Sequence, residues 1–525
     1  MYINQSPYLL FILKARGMAR GGRFQELADH SLRLSDVTPI KERANLFSRR
    51  LLIDSKYGKP LIMADSSLGD PTKFGLKQPL RLKEALLKVI ENDPSYTQSI
   101  GYPDLRDELR HRNLHIIGEG TGEQVVSTRL NEKDAFIYTG AGSSGVVRAY
   151  MGAVAGGKKH RAIVFVPELT YPLFLAEAAY VEADVVTIPL NPKTGLVDPD
   201  HLRSIMEDTI EEHGKQVRYV FVNTTIGNPL GSAMDVGTFN AVTHILNSLN
   251  QKHDIRIHRI TDPTYERFRR DQTQTFDPVE QILKEGSTSV ELVTGTFSKS
   301  ECWPGKRLGY GILLADKSRF RDFDLEEFKE LIFRHMDVSH AITLGIPDIH
   351  NQMAVAVWLN EQRTNPTALH EEIQRQAAMR TLVNANVLSF AQALIQIDGV
   401  KAHPFCLTES GDIDPNKLNS FYLMWRFRYG RDGKSQAARL AEWTFVRAVT
   451  EIQGDGVQTT PIIFHSDGDM FYAKYFRGHV PQYIRTVALH SPEAAQSTLN
   501  LISDFAHIVR MTGRPPEYME AFYPF

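Results

Sequence analysis

The chain has 525 residues, 42% of them hydrophobic and 23% charged, which supplies apolar material for more than one buried core and excludes a disordered polymer. A formal net charge of -2 with no long run of one sign excludes an electrostatic footprint for nucleic acid or for an anionic membrane surface. The two cysteines, Cys302 and Cys406, stand far apart and outside any C-x-x-C spacing, which excludes a disulfide scaffold and a thiolate metal centre.

In chain order, the first apolar run, Tyr8 to Leu13, is too short to span a membrane and lacks a signal-peptide cleavage pattern, so a cytoplasmic location is expected. Residues 1–80 read as an N-terminal arm and the first part of a smaller α+β domain. Residues 81–345 read as a large domain, and 346–525 as the rest of the smaller one with an insertion. From Asp134 to Gly311 the runs AFIYTG, RAIVFVPE, ADVVTIPL, VRYVFVN, IRIHRITD and SVELVTGTF alternate with helix-length segments. That alternation predicts βαβ units, hence an α/β fold with a mainly parallel sheet flanked by helices. Ligands of such sheets sit at the carboxyl ends of the strands. Beyond residue 345, QMAVAVWLNEQ and EEIQRQAAMRTLVNANVLSFAQALIQ carry helical periodicity, and ESGDIDPNK reads as a turn-rich loop.

The loop YTGAGSSGVVRAY spells G-x-G-x-x-G with Gly140, Gly142 and Gly145 between a strand and a helix. One reading is a dinucleotide site, with Glu168 at the end of the next strand as the ribose acid. Another is a phosphate monoester site, in which small residues admit the backbone and Ser143 and Ser144 add hydroxyl donors at a helix N-terminus. A tight turn without a ligand is the third. All three remain open on the loop alone.

Lys299 in TGTFSKSECWPGKR stands among hydroxyl residues after a β-rich run, with Arg307 eight positions on. An ordinary amine, with a pKa of about 10.4, is protonated at neutral pH, so a lysine used as a nucleophile needs positive neighbours or desolvation. A planar guanidinium such as that of Arg307 suits bidentate binding of phosphate oxygens. Taken with VPELTYPLF, NTTIGNPLGSAM, ITDPTYERF and QYIRTVALHSPEA, in that order, the segment resembles the class I/II aminotransferases, fold type I enzymes that use pyridoxal 5′-phosphate (PLP). The resemblance runs from about Gly69 to Arg485.

It implies a PLP-dependent transferase-like fold and a set of roles. Lys299 would form the Schiff base and move the substrate's α-proton. Gly142, Ser143, Ser144, Thr296, Ser298 and Arg307 would hold the phosphate. Asp262 would face the pyridine nitrogen, Asn228 and Tyr265 the ring oxygen, and Tyr171 the ring face. Arg485 would take the substrate carboxylate, with Asn228 and Gly69 beside it. Tyr96, five residues before Gly101 in YTQSIGYPDL, matches a tyrosine that reaches the neighbouring subunit's phosphate, which implies a homodimer with shared active sites. The substrates implied are an amino acid and a 2-oxo acid, with no metal.

The sequence departs from the family pattern at Leu230, at Arg256 and His258 in the strand before Asp262, and in the spacing of 186 positions from Lys299 to Arg485. The extra length falls where specificity elements sit. Decarboxylation or elimination by the same core residues is therefore the alternative reaction. A nicotinamide dehydrogenase would leave the lysine, the D-x-x-Y and the late arginine unexplained, and a DNA-binding regulator would need a basic head that 68 residues before Gly69 do not offer.

Overall fold

Seven strands between residues 135 and 314 form one sheet in this computed structural model, which describes residues 63–65, 69–92, 94, 97–118, 122–131, 135–155, 161–315, 325–343, 347–428, 436–455, 458, 460–467 and 483–512. They are β1 (Ala135–Ala141), β2 (Ala162–Pro167), β3 (Asp184–Ile188), β4 (Arg218–Thr224), β5 (Ile257–Asp262), β6 (Glu291–Thr296) and β7 (Leu308–Leu314), in the spatial order β1-β7-β6-β5-β4-β2-β3. Pairings from β6 through β3 are parallel, and β7 runs antiparallel to both β1 and β6. The six predicted strands are all present. The seventh is new, because LGYGILL carries two glycines that weaken a strand signal. Those glycines answer to packing: a Cβ on Gly309 would stand 2.6 Å from the Ser143 nitrogen, and one on Gly311 would stand 2.6 Å from Val146.

Side chains alternate across the sheet, as the period of two requires. Val164, Val220, Val222, Ile260 and Leu292 face one way, under α1 (Gly142–Ala155) and α2 (Pro172–Tyr180). Ile163, Phe165, Tyr219, Phe221 and Ile257 face the other, over α3 (Pro199–His213) and α4 (Val236–His253). Aspartates start three of the crossover helices: Asp198 caps α3, Asp235 caps α4, and Asp277 caps α5 (Pro278–Glu285). Each supplies an acceptor for a backbone N–H that the helix leaves unpaired. Within the sheet, the wholly buried Arg259 binds Glu291 on the neighbouring strand; Arg259 Nη1 also donates to Thr243 Oγ1, and Ser287 Oγ donates to Glu291. One charge left alone there would be costly, so the two belong together.

Two consecutive helices, α6 (Ile349–Thr364) and α7 (Pro366–Ile395), cover the predicted helical runs; α7 opens on Pro366 after the Asn365 cap. A second, antiparallel sheet follows, of β8 (Val400–Ala402), β9 (Tyr422–Phe427), β10 (Ser466–Asp467) and β11 (Ile484–Val487), in the order β8-β9-β11-β10. It packs with α7, α8 (Gln436–Asp455) and α9 (Pro492–Thr512) around Trp425, Phe427, Trp443 and Phe505. The strand Met63–Asp65 pairs in parallel with Ile462–Phe464, which sets the early chain beside the late one. Among the described residues no helix is long and apolar enough to cross a membrane.

The glycine loop follows β1, an edge strand whose one neighbour in the sheet is antiparallel. A dinucleotide fold places that loop after a central strand with parallel neighbours. The topology therefore disfavours the dinucleotide reading.

Candidate active site

The carboxyl ends of β1, β4, β5 and β6 converge, and each is followed by a segment singled out in the sequence. At the sheet edge, Gly142 (φ 74°) begins α1, and β7 brings Arg307 alongside because Leu308 pairs with Ala141 and Gly309 with both Gly140 and Thr296. Arg307 adopts a left-handed φ of 50° and remains exposed. It donates to the Ala141 carbonyl at 3.4 Å and to Ser144 Oγ at 3.5 Å. A Cβ on Gly142 would stand 2.7 Å from Arg307 Nη2, so only glycine leaves this hollow open. Across it, the Ser298 N–H donates to Thr296 Oγ1 at 3.1 Å, and Thr296 Oγ1 donates to Ser298 Oγ at 2.9 Å. A cation, hydroxyls and a helix N-terminus around a small-residue hollow suit a three-oxygen anion.

Asp262 ends β5, half-buried. Burial pushes its carboxyl above the usual carboxylate range, opposed by hydrogen bonds from Thr264 and Thr294 and by the charge of Lys299. The Thr264 N–H donates at 3.1 Å and Thr294 Oγ1 at 3.3 Å; the Thr264 hydroxyl donates to the same oxygen. Among the described residues no cation comes within ion-pair distance of this carboxyl. A bound cationic N–H would supply what burial withholds.

Lys299 projects from the turn after β6, where the Trp303 N–H donates to the Phe297 carbonyl at 3.0 Å and the Cys302 N–H to the Lys299 carbonyl at 3.2 Å. Its ammonium donates to the Gly69 carbonyl and stands 6.0 Å from the ring centre of Phe421. Asn228, buried in the loop after β4, donates to Tyr265 Oη at 3.4 Å and accepts from Arg485 Nη1 at 3.5 Å. Arg485 is 5% exposed, and its charge and that of Lys299 both act on the buried Tyr422. Tyr171 precedes α2 and is 39% exposed; desolvation by the protein around it raises its phenol pKa, aided by Tyr422 and opposed by Arg485 and Arg307.

The structure thus gathers two groups of predicted residues. Gly142, Ser143, Ser144, Thr296, Ser298 and Arg307 line the hollow, while Gly69, Asn228, Tyr265, Lys299 and Arg485 are linked by direct contacts, with Asp262 and Tyr171 electrostatically coupled to them. Gly101, at φ 108°, turns the chain against Thr139 of β1. Tyr96 lies outside the described residues. Sequence reasoning missed Tyr422, whose hydroxyl lies 2.9 Å from that of Tyr265 and whose ring lies 4.4 Å under the Arg485 guanidinium. A tyrosine inside the apolar strand SFYLMWRF reads as core, and its partners lie on other segments.

Comparison with known proteins agrees with this fold. A family model described as aminotransferase class I and II matches residues 67–397. Comparison with curated protein sequences gives no match. Among solved structures, an alanine aminotransferase from Pyrococcus furiosus superposes with a TM-score of 0.62 at 17% identity, covering 91% of this chain and 99% of that one. An aminotransferase from Escherichia coli gives 0.59 at 14% identity, over 92% of this chain and 96% of that one. A tetra mutant of Thermus thermophilus aspartate aminotransferase gives 0.56 at 18% identity, over 85% and 96%.

Proposed function

The chain belongs to the aminotransferase class I and II family, and from that premise we propose that it is a PLP-dependent aminotransferase that moves an amino group from an amino acid to a 2-oxo acid. The observation that carries the proposal is the placement of one amine, Lys299, in contact with Gly69 and in electrostatic reach of both the half-buried Asp262 and Tyr422 beside Arg485. An exposed structural lysine would have no reason to meet these groups.

The residues present fit the cofactor. The hollow beside Gly142, rimmed by Ser143, Ser144, Thr296, Ser298 and Arg307, would take the phosphate. Asp262, half-buried among hydroxyl donors, would accept the ring N–H. Asn228 and Tyr265 would face the ring oxygen and Tyr171 the ring itself. Bound there, PLP supplies an electron sink for the pair left when the substrate's α-hydrogen departs. Asp262 keeps that sink effective by remaining ionised against the ring N–H. Arg485, with Asn228 accepting from it, fixes the substrate carboxylate by charge and geometry. Lys299 would hold the cofactor and, as a free amine, would take and return the substrate's α-proton. Gly69 gives the amine room and an acceptor. We further propose a homodimer in which Tyr96 of one chain completes the partner's phosphate site.

The test is visible absorbance of the protein incubated with PLP, beside Lys299→Ala, before and after a panel of amino acids. Wild type is expected to show a band near roughly 400–430 nm that one amino acid converts to a pyridoxamine-like spectrum with release of its 2-oxo acid. Release of carbon dioxide or ammonia without need of an acceptor would move the chain to decarboxylation or elimination. A wild type that retains no PLP would end the reading.

A further inference from the structure

Tyr422 is 2% exposed, and three residues of the site meet it. Its hydroxyl lies 2.9 Å from that of Tyr265. The Arg485 guanidinium carbon stands 4.4 Å from its ring centre. Gly69 passes so near that a methyl there would overlap the Tyr422 oxygen. The strand register explains the second contact: Met424 of β9 faces Arg485 of β11, so Tyr422, two residues along, shares that face as a diagonal neighbour. A cation over the negative face of an aromatic ring is attracted to it, most strongly where water is excluded.

We propose that Tyr422 is a positioning residue of the amino-acid site, its ring bracing the Arg485 cation and its hydroxyl tying that arginine to Tyr265, so that carboxylate binding and the setting of the cofactor's ring oxygen are linked. This rests on the aminotransferase reading. Burial raises the Tyr265 phenol well above its ordinary pKa. Burial acts the same way on Tyr422, yet the charges of Lys299 and Arg485 bring it below its ordinary value. The Tyr422 oxygen is therefore the better acceptor, and Tyr265 donates to it. Without the Tyr422 hydroxyl, Tyr265 would lose a competing partner and donate more fully to the cofactor's ring oxygen. A hydrogen bond donated there withdraws the charge that favours the protonated form of the Lys299–cofactor link.

The experiment compares wild type, Tyr422→Phe and Tyr422→Leu, each loaded with PLP and checked by visible absorbance. Two quantities are read: affinity for 2-methylalanine, which carries the carboxylate but no α-hydrogen, and the pH midpoint of the visible band. Tyr422→Phe keeps the ring, so its affinity should stay within about threefold while its midpoint falls by about half a pH unit. Tyr422→Leu loses the ring and should bind about tenfold more weakly with the band retained. Wild-type affinity in Tyr422→Leu, an unmoved midpoint in Tyr422→Phe, or no binding by wild type would overturn the proposal. If Tyr422→Leu does not fold, the midpoint of Tyr422→Phe decides alone. A wild type without the band overturns the aminotransferase reading and this proposal together; a band with unchanged variants overturns this proposal only.

Discussion

Gly69→Ala adds one methyl group at the point where Lys299 and Tyr422 meet. The new carbon would overlap Tyr422 Oη and stand 2.9 Å from its Cζ and 3.0 Å from Lys299 Nζ. The left-handed backbone is not an issue here, because Gly69 has no positive φ. The clash is purely with side chains. Tyr422 has little freedom to withdraw, held by the Tyr265 hydroxyl at 2.9 Å, by Phe421 at 4.7 Å between ring centres and by Arg485 above its ring. Relief of such overpacking costs about 1–3 kcal/mol. Spread over the unfolding of a chain this long, that lowers the melting temperature by only a few degrees at most. The reacting amine, by contrast, must shift by something near an ångström, and misplacement of that size costs about a hundredfold in rate. The assay is a single-turnover half-reaction with the donor found from the amino-acid panel, followed by absorbance, beside a thermal melt. Gly305→Ala, where an added Cβ meets nothing within 4 Å, is the control and should match wild type in both. A Gly69→Ala rate within threefold of wild type would refute the reasoning, since the methyl would then have been accommodated without moving Lys299.

Asp262→Asn removes a half-buried carboxyl whose ionised form desolvation disfavours, so the melting temperature should hold or rise while the half-reaction slows by about a hundred- to a thousandfold; a rate within tenfold would deny Asp262 its place at the ring nitrogen. Arg307→Lys replaces a planar fork with a point charge, so PLP should dissociate about tenfold more readily in equilibrium dialysis, and unchanged retention would show that the hollow does not hold the phosphate. Burial pushes His258, His403 and His490 down to about 4, so each stays neutral in the folded chain while an unfolded histidine takes a proton near its ordinary value of about 6.5. Their contribution to stability is whole above about pH 7 and is lost as pH falls from about 6.5 through 4, by up to about 1.4 kcal/mol per pH unit for each. His490→Asn should therefore flatten the pH dependence of the urea midpoint in that window, and an unaltered slope would contradict its neutral burial.

Much of the large sheet was legible because strands covered on both faces must be written as apolar runs. Every position of Ala162–Pro167 is buried, and the run could hardly serve elsewhere. Leu308–Leu314 escaped because two of its positions answer to the close approach of α1 rather than to the sheet, and glycine is the residue that such an approach demands. The antiparallel direction of that strand was equally hidden. Yet it carries Arg307 back to the start of α1, and without it the arginine and the glycine loop would not share one hollow.

The site divides along the same line. Residues in local motifs, such as Lys299 among hydroxyls or Asp262 before Pro263, announce themselves, because a turn that follows a buried strand seldom spends a charge there without use. Tyr422 has no such setting. Its strand is apolar, its neighbours Phe421 and Leu423 are core, and its functional partners come from the turn after β5 and from a strand 62 residues further on. Only the pairing of β9 with β11 reveals that it and Arg485 share a face. The pairing also bears on how the length of the connection between β9 and β11 affects the site. The segment between β9 and β11 can vary in length without moving Tyr422 relative to Arg485, since the strand register, and not the connection, fixes their separation. An insertion between β9 and β11 can therefore be accepted with the carboxylate site intact, whereas a one-residue slip of β11 would turn Arg485 to the opposite face.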